Sequence, residues 1–216
     1  MPALFPHWTN TVARATLIAV VCTLVGLPVA LMAWVRTPNA TRQYQPVRQP
    51  VPFDHRIHVT GQRIDCRYCH YSVERSSYAG IPPTSVCVPC HSTAWMSSDM
   101  LRPVRESIES GRPLRWNRVD ALPGFVYFNH AIHVNKGVGC ESCHGRVDQM
   151  STVYQAKPLT MGWCLSCHRM PAERLRPVEA VTVMGYTPAV AQARLGPALA
   201  AKYHVRSLTS CTTCHR

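Results

Sequence analysis

Ten of the eleven cysteines fall into five pairs of identical spacing, and a histidine follows each pair directly. They are Cys66-Arg-Tyr-Cys69-His70, Cys87-Val-Pro-Cys90-His91, Cys140-Glu-Ser-Cys143-His144, Cys164-Leu-Ser-Cys167-His168 and Cys211-Thr-Thr-Cys214-His215. C-x-x-C-H is the attachment signature of c-type haem. Two thiols about one helical turn apart add to the two haem vinyl groups, and the next residue is then placed to ligate the iron from the proximal side. A zinc site does not require a histidine after every pair, and disulfides would leave the histidines unexplained. The five pairs therefore predict five covalent haems.

Five haems in about 180 residues leave roughly 36 residues for each, too little chain to wrap every macrocycle in its own domain. The haems must pack against one another and form the core. The composition agrees, with only four Phe, five Trp and eight Tyr beside eighteen Pro. Prolines at that density argue against a bundle of long helices. The expected fold class is a multihaem cytochrome c: one N-terminal transmembrane helix plus a loop-rich, mainly short-helix extramembrane domain built around five haems. The net charge of +12 comes from scattered Arg and Lys rather than a basic run, and no nucleic-acid-binding motif accompanies it, so nucleic acid is not an expected partner. Ten haem propionates would bring the charge to about +7 oxidised and about +2 reduced by formal counting.

With His70, His91, His144, His168 and His215 as proximal ligands, six histidines remain. His7 precedes the apolar segment, which leaves His55, His58, His130, His133 and His204 for five sixth positions. Phe53-Asp54-His55-Arg56-Ile57-His58-Val59 and Phe128-Asn129-His130-Ala131-Ile132-His133-Val134 share the pattern F-x-H-x-I-H-V, each ahead of two C-x-x-C-H motifs. Histidines at i and i+3 share one face of a helical turn, from which each can reach a different iron. The chain thus reads as units 53–91 and 125–168 and a half unit 203–216. His58 precedes Cys66 by eight residues; His133 precedes Cys140, and His204 precedes Cys211, by seven. Ala201 stands where His204 would need its partner, so Met161 or Met150 is an alternative sixth ligand there, with Met170 and Met184 also in reach of the argument. The expected site is cofactor-binding, with no catalytic residue: there is no G-x-S-x-G, no H-E-x-x-H and no acidic cluster.

Residues 15–35 carry no charge. Twenty-one helical residues rise roughly 32 Å, enough to span a bilayer, with Trp8 and Trp34 near its two ends. The run exceeds the usual apolar core of a cleaved signal peptide, and no A-x-A site follows it. It reads as a signal anchor, with Cys22 a small apolar residue inside it. The expected segments are 1–14 (cytoplasmic), 15–36 (anchor), 37–52 (an extended Pro-rich linker) and 53–216 (the pentahaem domain). Arg36, Arg42 and Arg48 after the span argue for the opposite orientation. Haem attachment outside the cytoplasm overrides them, which places the N-terminus inside and the haem domain in the periplasm of a bacterial cytoplasmic membrane. A short helix is expected over 188–203, broken near Gly196-Pro197.

F-x-H-x-x-H ahead of C-x-x-C-H resembles the small multihaem cytochromes of the c3 and c7 type. Five motifs behind one membrane helix are similar to a more specific family, as are Phe128-Asn129-His130, His133-Val134, Cys140 to Gly145, and Met161-Gly162-Trp163-Cys164 through His168-Arg169. That family is the pentahaem membrane-anchored cytochrome c subunit (ActA) of alternative complex III. The resemblance covers most of residues 50–170 and is looser beyond. It implies an electron-carrier subunit, not an enzyme by itself, of a quinol:electron-acceptor oxidoreductase. Its implied partners are membrane lipid, an iron–sulfur protein, further membrane subunits and a monohaem cytochrome c. A stand-alone quinol dehydrogenase of the NapC/NrfH type shares the plan, but usually carries four haems and lacks the paired H-x-x-H. A multihaem reductase with one five-coordinate iron is opposed by the histidine count. Intact-mass measurement on the haem-loaded chain should find five covalent haems, and replacing Cys87 and Cys90 together by alanine should leave four.

Overall fold

The computed structural model describes residues 5–215. Residues 1–4 and 216, the outer ends of the first and last expected segments, lie outside them. The chain divides into two units, Met1–Gln43 and Tyr44–Arg216.

In the first unit, α1 runs Thr9–Trp34, 26 residues, and is long and apolar enough to cross a membrane, with no residue buried against protein. It starts six residues before the apolar run because Thr9 to Arg14 contains no helix breaker. Arg36 Nη1 closes its other end by donating to Met32 O (2.7 Å), and Thr37 Oγ1 donates to Trp34 O (2.7 Å). Arg36 thus caps exposed carbonyls at the negative end of the helix dipole, a reason for its position independent of topology. A single turn, α2 (Pro38–Thr41), follows. Thr37 caps it, Pro38 sits where no N–H is needed, and Arg42 leaves it in the left-handed region (φ 60°).

The expectation of an extended linker over 37–52 is corrected at both ends. Its first part holds α2, and residues 44–52 belong to the second unit. There Tyr44 N donates to Gln155 O (3.0 Å) and Val47 N to Val153 O (3.0 Å). The Gln49 amide and Asn117 exchange two further bonds of 2.9 and 2.8 Å. Prolines remove donors from such a segment, but the remaining N–H groups are free to pair with a neighbouring stretch.

The second unit is loops and short helices: α3 (Cys66–Cys69), α4 (Val88–His91), α5 (Arg102–Ser110), α6 (His130–Asn135), α7 (Cys140–His144), α8 (Met161–Arg169), α9 (Gln192–Lys202) and α10 (Cys211–Cys214). Strand pairing among the described residues is limited to isolated bridges, such as Val126 with His215 and Val138 with Leu175. The polypeptide's own core is small. Among the described residues nine apolar side chains are buried, with Val181 alone fully so, and the central cluster is Val73, Val134 and Val181. That is far less apolar contact than a cofactor-free domain of this length needs.

The two F-x-H-x-I-H-V segments fold differently. The second forms α6, whereas the first forms a π-helical turn, Arg56–Gly61, closed by Gln62 N to Ile57 O (2.9 Å). The cause is the extra residue between His58 and Cys66, which the wider turn absorbs. Beyond it the two segments come back into register. Arg63 (φ 55°) and Gly137 (φ 82°) both turn left-handed, and Ile64 N and Val138 N bond back to His58 O and His133 O, each at 3.0 Å.

α9 corrects a second expectation, since it spans Gly196 and Pro197 without a break. Gly196 is buried against the turn Pro171–Arg174, where a Cβ would collide with Ala172 O, and Gln192 Nε2 clamps Ala172 O and Leu175 O (both 2.9 Å). Packing against that turn outweighs the one backbone bond Pro197 deletes.

Arg176 ties this region to α7. Its guanidinium donates to Glu141 Oε1 (2.7 Å) and Val183 O (2.9 Å), with side chains only 9% and 16% exposed. Burial raises the Glu141 carboxyl, but the Gly185 N–H and Arg176 outweigh it and leave its pKa lowered. The pair's contribution is therefore full above the unfolded carboxylate's pKa and is lost as pH falls through the lowered one. Arg176→Met should cost about 3–5 kcal/mol near neutral pH by stranding Glu141, read as a lower unfolding midpoint of the full chain, with the deficit shrinking in acid.

Candidate functional site

Each C-x-x-C-H motif forms one helical turn that delivers its histidine at or near the C-terminal end. Asp65 caps α3 by accepting from Arg67 N (2.8 Å), and Thr160 caps α8 by accepting from Trp163 N (3.4 Å). The histidine N–H bonds back to the first cysteine carbonyl in the motifs at His70 (2.8 Å), His91 (2.9 Å) and His215 (2.9 Å).

The five motif imidazoles share one restraint: Nδ1 is engaged. It donates to Gly80 O from His70 (2.8 Å), to Ala94 O from His91 (3.0 Å) and to Leu208 O from His168 (3.0 Å). His215 donates to Phe125 O (3.1 Å), and His144 to the carboxylate Oδ2 of Asp120 (2.8 Å). With Nδ1 holding the proton, Nε2 is the nitrogen left with a lone pair, the tautomer a metal ligand requires.

The H-x-x-H imidazoles follow the same rule with one exception. His58 donates to Asp54 O (2.9 Å), His133 to Asn129 O (2.7 Å) and His130 to Ser77 O (3.0 Å). His55 Nδ1 is buried without a partner. Burial first, then the neighbouring His70 and His58, push the His55 pKa down to about 4; burial also lowers His130 and His133. These rings are held neutral. The Phe that opens each segment packs on both its histidines. Phe53 stacks on His58 (4.3 Å, 24°) and stands edge-on to His55 (4.8 Å, 85°). Phe128 repeats this with His133 (4.5 Å, 28°) and His130 (4.7 Å, 89°).

Facing rings pair one H-x-x-H histidine with one motif histidine. Centroids are 6.2 Å apart for His58 and His91, 6.3 Å for His130 and His144, and 6.1 Å for His133 and His168. A metal–imidazole bond is about 2 Å and a ring centre lies roughly 1.1 Å from its own nitrogen, so imidazoles on opposite sides of one metal ion have centres about 6 Å apart. The donor set and its spacing fit six-coordinate haem iron. His70 is the neighbouring charge that weighs most on His55. In the second unit the first histidine of H-x-x-H faces the first motif and the second faces the second, and in the first unit His58 likewise faces the second motif.

His204 stands apart. It is exposed, follows α9 in the left-handed region (φ 53°), and makes no ring contact with His215 among the described residues. Of the methionines, Met150 is buried, Met161 (the first residue of α8) and Met170 are exposed, and Met184 is half-buried.

The ten motif thiols are free and set the order of the motifs in space. Cys66 and Cys140 hydrogen-bond each other, which lowers the Cys66 thiol and raises that of Cys140. Burial and then Cys87 raise Cys69. Burial, then Cys167 and Cys164, push Cys143 up to about 12, and burial followed by Cys214 raises Cys164. Motif 66–70 thus neighbours 87–91 and 140–144, and motif 164–168 neighbours 140–144 and 211–215. Backbone contacts agree: the loop after α3 holds α6 through Ser77 O to His130 N (3.2 Å), and Tyr127 N reaches Cys214 O (2.9 Å). Sequence reasoning missed Asp120. It is the sole acidic residue between Glu109 and Glu141, but nothing local ties it to a motif 24 residues away.

Comparison with known proteins points the same way. Residues 126–216 match the family of cytochrome c7 and related cytochrome c. Over 122 residues the chain is 37% identical to the menaquinone reductase, multiheme cytochrome c subunit, of Nitratidesulfovibrio vulgaris (strain Hildenborough). The match spans 56% of this chain and 56% of that relative, so the chain covers little more than half the relative's length. Both comparisons are with multihaem cytochromes c, a class of electron-transfer proteins.

Proposed function

We propose that the chain is a membrane-anchored pentahaem electron relay within a quinone-linked respiratory or photosynthetic complex of the alternative complex III kind. The carrying observation is the facing of H-x-x-H and motif imidazoles at 6.1–6.3 Å, with Nδ1 tied back so that Nε2 is available. In this reading the ten motif cysteines bind haem by thioether bonds. His70, His91, His144, His168 and His215 are the proximal ligands, His55, His58, His130 and His133 the sixth ligands of the first four, and His204 the fifth, with Met161 or Met150 as its alternative.

Bound haem supplies a one-electron ferric/ferrous couple. The chain's own residues do the rest. Two imidazoles on each iron leave no open position, so the sites pass electrons without binding substrate. Burial excludes water from His55, His130 and His133 and keeps them neutral. The nearness of cysteines from neighbouring motifs supports a row of sites in which the two repeat units meet at Cys66 and Cys140. α1 anchors the chain with its N-terminus cytoplasmic and the haem domain periplasmic. Partner subunits, an iron–sulfur protein and a monohaem cytochrome c among them, exchange electrons with the quinone pool and the acceptor. The relative's name, a menaquinone reductase, favours a second reading in which electrons run toward the quinone instead.

The direct test mixes the haem-loaded chain in detergent with reduced quinol. Haems that reduce with dithionite, but with quinol only once partner subunits are restored, are the expected result. Rapid, inhibitor-sensitive reduction of the chain alone would establish a stand-alone quinol dehydrogenase instead. Net transfer from the reduced complex to menaquinone would reverse the assigned direction. Ligation is read separately by EPR: His133→Ala should convert one haem in five to high spin, and His204→Ala should do the same if His204 holds the fifth iron.

A further inference from the structure

Among the five motif imidazoles, four donate Nδ1–H to a neutral backbone carbonyl, and His144 alone donates to a carboxylate. Asp120 is built for that contact. Its Oδ2 lies 2.8 Å from His144 Nδ1, and its side chain is 26% exposed. Its Oδ1 is buried without a hydrogen-bond partner. No Lys or Arg pairs with it among the described residues, so its charge is shared with the imidazole alone. The loop that carries it is fixed three residues earlier, where Asn117 N donates to Gln49 Oε1 (2.8 Å), Asn117 O accepts from Gln49 Nε2 (2.9 Å) and the Asn117 side chain donates to Arg48 O (2.7 Å).

A carboxylate behind a metal-bound imidazole draws the Nδ1 proton toward itself and makes Nε2 a stronger donor. Outer-sphere partners of this kind orient the ligand and tune the metal. A stronger donor and an added negative charge both favour ferric over ferrous iron, so both lower the reduction potential. The remaining four sites have no such anion on their motif histidine. At the neighbouring site the contrast is sharper, because buried His55 has no acceptor at Nδ1 at all.

We propose that Asp120 is a positioning residue that acts through His144 to make the iron held by His144 and His130 the lowest-potential centre of the five. This rests on the haem reading above. No proton leaves the pair; the couple is the one-electron ferric/ferrous change.

The same pair carries its own spectroscopic label. The His130 and His144 rings are 6° from parallel, whereas the pairs His58–His91 and His133–His168 are turned by 57° and 69°. Near-parallel imidazoles give a rhombic low-spin ferric EPR signal, and crossed ones give a strongly anisotropic signal. The test is a redox titration of the haem-loaded full chain followed by EPR, on the unaltered protein, Asp120→Asn and Asp120→Glu. In D120N the amide oxygen still accepts from Nδ1 but the charge is gone. The rhombic component should then titrate at higher potential, with its oxidised-to-reduced ratio at fixed potential falling tenfold or more, about 59 mV for one electron. D120E should restore most of the shift. A rhombic component that does not move in D120N, with five haems still attached, overturns the proposal. Equal shifts in D120N and D120E also overturn it, since geometry rather than charge would then be responsible. Mass mapping that finds no haem on the Cys140–Cys143 peptide of the unaltered chain would instead remove the haem reading, and the proposal with it.

Discussion

The hydrogen bond from histidine Nδ1 is the interaction on which the second unit depends. An imidazole that is to meet a metal through Nε2 must give its other nitrogen to an acceptor, and a short loop around a haem rarely has one nearby. This chain finds acceptors far away in sequence. His168 uses Leu208, 40 residues on; His130 uses Ser77, 53 residues back; His215 uses Phe125, 90 residues back. The same bonds that select the tautomer therefore bring distant segments together. With nine buried apolar residues among those described, these long-range polar bonds take over part of the role a hydrophobic core has elsewhere. Ligation and folding then cannot be separated, because an acceptor carbonyl is in place only when the segment carrying it has docked.

Periodicity and spacing made the motifs, the repeat units and the histidine pairs legible from sequence, because each depends on residues within one or two turns. The π-helical turn is a good example of how much a single spacing contains. Eight residues rather than seven between His58 and Cys66 meant either a shifted register or a wider turn, and the left-handed residues Arg63 and Gly137 show that register was kept. What could not be read locally is what depends on a distant partner. Pro197 marks a helix break by any local rule, and only the Pro171–Arg174 turn, against which Gly196 packs, keeps α9 whole. Residues 44–52 look like a tether until residues 153–155 and Asn117 supply their hydrogen bonds. Asp120 belongs to the same class.

The duplicated unit also explains the two phenylalanines, whose role the spacing argument left open. One ring packs on two imidazoles, near-parallel to the second (24° and 28°) and near-perpendicular to the first (85° and 89°). In the second segment the two histidines then face different motifs, His130 that of His144 and His133 that of His168. Only an aromatic of this size, opening the segment, can contact both rings. A leucine there would fill volume without fixing orientation.

The C-terminal half unit shows what happens when that device is missing. No Phe and no second histidine precede His204, and the backbone reaches it through a left-handed residue rather than a helical turn. His215 is oriented from elsewhere: the bridge with Val126, the Nδ1 bond to Phe125 O and the Phe125 ring 5.7 Å away all come from the chain just ahead of the second F-x-H-x-x-H segment. The last motif is thus held by the unit before it in the row. That dependence runs both ways, since Leu208 O in turn accepts from His168 Nδ1 (3.0 Å). His204 is exposed, unlike the four H-x-x-H imidazoles, each of which packs against a Phe ring.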